Sequence, residues 1–242
     1  MPPRRQQAPV IVITGASQGI GAAIARAFSQ EVPGSRLALL ARNERKLRRV
    51  AGACREAGAD RAEAYACDVT DASAVAATAE AVLAAVGVPD VLVNNAGWFL
   101  PGAFLDMSIE TFDALIAANL RSVFIVSKAF VPAMAARGRG HVFNMSSIAG
   151  LDPYPMGSGY CAAKYGVTGL SAVMREELRE KGVQVTTVFP GATFTPSWKG
   201  SGVPASRMMP AAGVARAIVD AWRLGPKTVV EDLVLRPPRG DV

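Results

Sequence analysis

The stretch VIVITGASQGIGAAIARAF, residues 10–28, decides the fold. Its first four residues, Val10, Ile11, Val12 and Ile13, are all β-branched and form a run apolar on both faces, as a strand buried between two layers requires. Thr14 and Gly15 end that run, and residues 20–28 then carry apolar side chains at helical spacing. A strand, a glycine turn and a helix open a βαβ unit. Working outward, six further apolar runs alternate with Ala-rich segments of helical character: residues 37–41, 62–66, 91–94, 142–145, 183–188 and 228–235. Chain breakers precede most of them, with Pro33 and Gly34, Gly58, Gly87 and Pro89, Gly138 and Gly140, and Gly182 in turn. Seven such runs separated by helices predict an α/β, three-layer architecture with a doubly wound seven-stranded parallel sheet, whose ligands sit outside the carboxyl ends of the strands.

Composition narrows the function. The chain has 242 residues, half of them apolar, enough for one large core, and a single domain over residues 1–242 is expected. No uncharged apolar run reaches the roughly 18 residues that a membrane helix needs. Arg4 and Arg5 are not followed by an apolar region of roughly 7 to 15 residues and a cleavage site, so an export signal is not expected. The three cysteines, Cys54, Cys67 and Cys161, show neither CxxC spacing nor a nearby histidine cluster. No disulfide framework or metal site is indicated, and a reducing cytoplasm fits. The net charge of +6 comes from basic residues scattered among acids without aromatic interleaving, which argues against nucleic acid as a partner. The only histidine, His141, stands just before the fifth run and is expected at the surface there.

The glycines at positions 15, 19 and 21 lie between a strand and a helix, the context that makes such spacing a phosphate loop. Small residues let the backbone approach a pyrophosphate, and the helix amino terminus offers unpaired N–H groups to it. A carboxylate about 20 positions past the last glycine would bind a ribose 2′-hydroxyl and repel a 2′-phosphate. Position 41 is Ala, and Arg42 follows with a guanidinium suited to phosphate. NADP(H) is therefore expected over NAD(H), with Glu44 as the nearby charge that could weaken the field. Asp68, at the end of the third run, is a candidate acceptor for the adenine amino group. Asn95, Ala96 and Gly97 end the fourth, where small residues let the backbone pass close to a ribose. Asp68 and Asn95 could equally be Asx caps or turns.

Tyr160 and Lys164 are four residues apart, one helical turn, and Ser147 lies thirteen residues before the tyrosine. A free phenol has a pKa near ~10, and a neighbouring ammonium favours its ionised form. That makes Tyr160 a candidate proton donor in reduction and acceptor in oxidation. Ser147 would hydrogen-bond a carbonyl oxygen as charge develops on it. A dinucleotide site beside a proton donor points to hydride transfer to a carbonyl.

Taken together, TGASQGIG, NNAG, Asn119 in Ala-Asn-Leu, the Met-Ser-Ser ending in Ser147, YCAAK and PGATFT resemble the short-chain dehydrogenase/reductase family, in order and over roughly residues 9–236. The resemblance implies a single Rossmann domain. It implies a catalytic tetrad of Asn119, Ser147, Tyr160 and Lys164, with Lys164 also holding the nicotinamide ribose and Asn119 anchoring a water that passes protons to it. It places Asp68, Val69, Asn95, Ile20, Pro190, Gly191 and Thr195 at the cofactor, Thr195 meeting the carboxamide. Many NADP users of the family carry Lys or Arg where this chain has Gln18, which leaves Arg42 with Ser17 and Asn43 as neutral helpers.

Residues 190–210, with four prolines and three glycines, show no periodicity, and a substrate loop is expected there. Trp98, Phe99, Tyr154, Met156, Phe194 and Trp198 are candidate pocket walls for a planar or bulky apolar carbonyl substrate. The expected activity is an NADPH-dependent carbonyl reductase using the 4-pro-S hydride that the family implies. The carboxyl end resembles bacterial members of the sepiapterin reductase type, with Asp241 as a candidate for a pterin's guanidine-like edge. Pterin reduction is thus an alternative, with 3-oxoacyl and hydroxysteroid substrates behind it. A dinucleotide-sensing subunit without turnover is a different class, which the complete tetrad disfavours. The resemblance further implies a homodimer or homotetramer, in which the Ala-rich residues 114–118 and 129–136 allow close helix approach.

Overall fold

The computed structural model describes residues 8–240 except 199 and 201. Among the described residues are nine strands and seven α-helices: β1 Val10–Thr14, α1 Gly19–Glu31, β2 Arg36–Ala41, α2 Glu44–Glu56, β3 Arg61–Ala66, α3 Ala72–Ala85 and β4 Val91–Asn94 come first. Then follow α4 Ile109–Ile116, α5 Ser122–Arg137, β5 Gly140–Met145, α6 Ser158–Leu178, β6 Val183–Pro190, β7 Thr193–Phe194, β8 Met209–Pro210, α7 Ala211–Arg223 and β9 Asp232–Leu235. Seven strands form one parallel sheet in the order β3-β2-β1-β4-β5-β6-β9. The order reverses between β1 and β4. After β3 the chain crosses back to lay β4 beside β1, pairing Ile11 with Val91 on one side and with Leu37 on the other. That switch opens a crevice at the carboxyl ends of the two strands.

Both faces of the sheet are covered, which is why the strands read as continuous apolar runs. Ile24, Phe28, Leu47 and Ile218 pack from α1, α2 and α7 against one face. Val75, Phe130 and Met134 pack from α3 and α5 against the other. Local sequence sets the helix starts: Asn43, Asp71 and Ser108 accept backbone N–H groups as caps of α2, α3 and α4. The helical stretch Ile109–Arg137 is long and apolar enough to cross a membrane by length and composition, and half of its most apolar window is buried in the fold.

The structure corrects two expectations. His141 is not a surface residue but is 2 % exposed, stacked on Phe143 and hydrogen-bonded to Thr186 at 2.7 Å. It lies on β5, covered by strands on either side, and burial pulls its pKa down to about 3. The last strand begins at Asp232 rather than residue 228, because the preceding carbonyls are taken by side chains of β6. Gln184 donates to Thr228 O and Thr186 to Val230 O. Within residues 190–210, β7 and β8 pair at the base of the loop, and Met209 N donates to Ala192 O.

Candidate active site

The glycine turn closes against the end of β4. Asn95 donates through Nδ2 to Thr14 O at 2.9 Å, while its backbone N–H and that of Ala96 donate to Thr14 Oγ1. The turn is so tight that a Cβ on Gly21 would stand 2.5 Å from both Asn95 Nδ2 and Gly15 O. Asn95 thus holds the loop in shape. Gly19 faces Thr195 from the far end of the chain, 3.4 Å from where its Cβ would be. Unlike α2, α3 and α4, the helix α1 has no side-chain cap, Gln18 standing at that position, and like α3 it has no acid in its first turn. Its orphan N–H groups and positive dipole end suit a pyrophosphate.

At the end of β2, Arg42 is exposed and close enough to Asp68 to influence it. The pKa of Asp68 is lowered, chiefly through hydrogen bonds from the backbone and hydroxyl of Thr70, with Arg42 adding to the effect. Val69 is buried behind it. Asn43 caps α2 by accepting from Lys46 N, so its side-chain oxygen is engaged. Glu44 pairs with Arg48, which offsets the charge of that acid. The sequence reading missed Lys46, whose Nζ reaches across to Gln18 Oε1 at 3.0 Å. Nothing in the local sequence marks it, since its partner lies 28 residues away on the glycine turn.

At the carboxyl end of β5, Ser147 is extended and caps a short turn, accepting from Ala149 N. It also donates to Pro190 O, the last residue of β6, at 3.4 Å. Next to it, Gly191 N is fixed by Leu235 O of β9. Tyr160 and Lys164 come from the first turns of α6. Lys164 is buried, its Nζ donating to Met145 O at 2.8 Å and lying 5.5 Å from the Tyr160 ring centre. Burial lowers its pKa to about 8. Withdrawal from water pushes the Tyr160 phenol up to about 12, against a hydrogen bond with Ser147 that lowers it.

Asn119 lies in a π-helical turn, Ala117–Arg121, between α4 and α5, a distortion common at functional sites. Its side chain holds the backbone of Trp98 from both sides, accepting from Trp98 N at 3.2 Å and donating to Trp98 O at 2.9 Å, and it donates again to Leu115 O. Both amide protons are engaged. Gly97 passes against this group, and a Cβ there would stand 2.4 Å from Asn119 Oδ1 and 3.9 Å from Lys164 Nζ.

Of the candidate pocket walls, Phe99 meets Tyr160 edge to face at 5.0 Å and Tyr154 at 6.5 Å. Met156 adopts a left-handed backbone, φ 66°, and its carbonyl takes Gly102 N, joining the segment before α6 to the loop after β4. Trp98 is partly exposed beside them. Phe194 and Trp198 stand on the 190–210 loop and make no ring contact with this cluster among the described residues. Asp241 lies outside the described residues.

A family model for short chain dehydrogenases matches residues 9–202. The chain belongs to the short-chain dehydrogenase family. It is therefore an NAD(P)-dependent oxidoreductase. The chain is 34 % identical to a sepiapterin reductase of Chlorobaculum tepidum over 239 residues, covering 96 % of this chain and 98 % of that one. Among solved structures it resembles a metagenomic short-chain oxidoreductase in complex with NADP, with TM-score 0.82, 40 % identity and 95 % and 96 % coverage. It also resembles an alcohol dehydrogenase from Thermococcus sibiricus complexed with 5-hydroxy-NADP, with TM-score 0.88, 31 % identity and 97 % and 98 % coverage.

Proposed function

We propose that this short-chain dehydrogenase is an NADPH-dependent carbonyl reductase with Tyr160 as proton donor. The observation that carries this reading is the convergence of Ser147, Tyr160 and Lys164 beside the strand ends where the glycine turn opens. A bound reduced nicotinamide would supply the hydride. The uncapped start of α1, with Gly15, Ser17, Gly19, Ile20 and Gly21, holds the pyrophosphate, and Ala96, Gly97, Pro190, Gly191 and Thr195 flank the rest of the dinucleotide. Ser147 orients the substrate carbonyl toward the phenol. Because burial keeps Tyr160 protonated well past neutral pH, it can donate as the alkoxide forms. Lys164 holds positive charge below its lowered pKa and stabilises the phenolate left behind. Asn119 fixes the Trp98 backbone and with it the pocket wall.

Preference for NADPH rests on three features at the end of β2: no acid at Ala41, an exposed Arg42, and Glu44 neutralised by Arg48. Lys46 joins Arg42 there in place of the cation that Gln18 lacks. Both solved relatives carry NADP or its derivative, in keeping with this preference. Pterin reduction is the second reading, supported by the similarity to a sepiapterin reductase along nearly the full chain. A homo-oligomer formed through α4, α5 and α6 accords with the large apolar side chains Phe112, Phe124 and Tyr165 exposed on those helices.

Purified protein assayed for NADPH oxidation with aromatic ketones, acetoacetyl thioesters and sepiapterin tests the reading. Turnover of at least one carbonyl is expected. Consumption of NADPH by none of them would remove the proposed activity, and turnover of sepiapterin alone would select the second reading.

A further inference from the structure

At the amino-terminal edge of the sheet, opposite the crevice, lies a cavity of about 360 Å³ between the starts of β1 and β2, the end of α3 and the end of α5. Arg36, Arg137, Arg139 and Asp90 supply its charged lining, with Val10 and residues 84–88 around them. Three guanidinium groups face one carboxylate, and that carboxylate is already committed. Asp90 Oδ2 accepts from Val10 N at 2.9 Å, and Oδ1 lies 3.2 Å from Arg137 and 3.4 Å from Arg139.

The nearby carbonyls are occupied as well. Arg137 donates to Val88 O, Pro89 O and Arg139 O, and Arg61 donates to Ala85 O. Donors are left over. Arg36 is paired with no carboxylate among the described residues, and its Nε, like that of Arg137, is buried without a hydrogen-bond partner. An orphaned buried donor is costly, and more so when it carries charge. Burial and the neighbouring Arg139 both weaken the hold of Arg137 on its proton, against the pull of Asp90.

From this imbalance we propose that the cavity is a second anion site, taking a compact phosphate-type dianion bound chiefly by Arg36 and Arg139. Forked guanidinium groups suit tetrahedral oxyanions. A ligand there joins the ends of β1, β2, β4 and α5, so its effect falls on stability rather than on the chemistry at the opposite edge. The cavity exceeds the size of a bare phosphate, and a phosphate ester of a small polyol fits the volume.

The test is thermal unfolding of the full chain with the cofactor cleft saturated by NADP, so that added anions cannot act there. Inorganic phosphate and glycerol 3-phosphate are compared with sodium chloride at matched ionic strength. At ten times its dissociation constant the bound anion is expected to raise Tm by about 3 to 6 °C. Arg36→Gln should weaken binding about tenfold or more, Arg36→Lys less, and both should keep wild-type NADPH oxidation. A larger shift with the ester than with phosphate identifies an organic phosphate as the ligand, and equal shifts identify the free ion. No shift beyond that of chloride, or a shift unchanged in Arg36→Gln, overturns the proposal.

Discussion

Gly97→Ala is the smallest change that probes how the site is assembled. The added Cβ would stand 2.4 Å from Asn119 Oδ1, about 1 Å inside ordinary contact. Gly97 is not among the positive-φ glycines, so alanine meets no backbone penalty and the clash is the whole effect. Asn119 cannot turn aside cheaply, because its side chain is buried and holds three hydrogen bonds to Trp98 and Leu115. Losing one or two of them costs about 1 to 3 kcal/mol. In a chain of this size that lowers Tm by roughly 2 to 10 °C. The second effect is catalytic, since a shift of about 1 Å in a positioned group can cost on the order of 100-fold in rate. Calorimetry and kcat/KM for NADPH-dependent carbonyl reduction read the two effects separately. A variant with wild-type Tm and wild-type kcat/KM would refute the claim that Gly97, Asn119 and Lys164 form one packed unit.

Two further outcomes follow from other parts of the molecule. Lys46→Gln is expected to weaken NADPH binding about 5- to 10-fold while leaving the NADH dissociation constant unchanged, as fluorescence titration of the two cofactors would show; equal losses for both would contradict a 2′-phosphate role. His141 is held neutral with its pKa near 3 against 6.5 ordinarily, so below pH 6.5 the unfolded chain binds a proton that the folded chain does not. Stability should therefore fall by about 1.4 kcal/mol per pH unit from that residue between pH 6.5 and 3, and denaturant titrations of His141→Gln should lack this slope.

Much of the fold was legible because the central strands β1 and β4 are buried on both faces, and that burial writes itself into uninterrupted runs such as Val10 to Ile13. The helix starts at Asn43, Asp71 and Ser108 went unread, although their short polar side chains bond the backbone next to them. The histidine was misplaced because a strand-end position carries no local mark of what the neighbouring strands cover. Only the placement of Thr186 on β6 shows that His141 has an interior partner. The register of β9 was likewise hidden, since side chains of Gln184 and Thr186 took carbonyls that a ladder would have used.

At the site, Tyr160 and Lys164 were readable from a spacing of four on one helix. The balance of their ionisation was not, because desolvation depends on what packs around them. Lys46 escaped notice for a related reason. Its partner Gln18 is 28 residues away, and no periodicity connects a phosphate loop to the first turn of the next helix.

The most direct test of the account is the rate of carbonyl reduction by Tyr160→Phe under single-turnover conditions, with NADPH binding measured on the same protein. Removal of the hydroxyl alone is expected to slow hydride transfer by about 100- to 10,000-fold while the NADPH dissociation constant stays at the wild-type value. A rate equal to wild type with the cofactor bound would show that the proton comes from another group and would contradict the account at its centre.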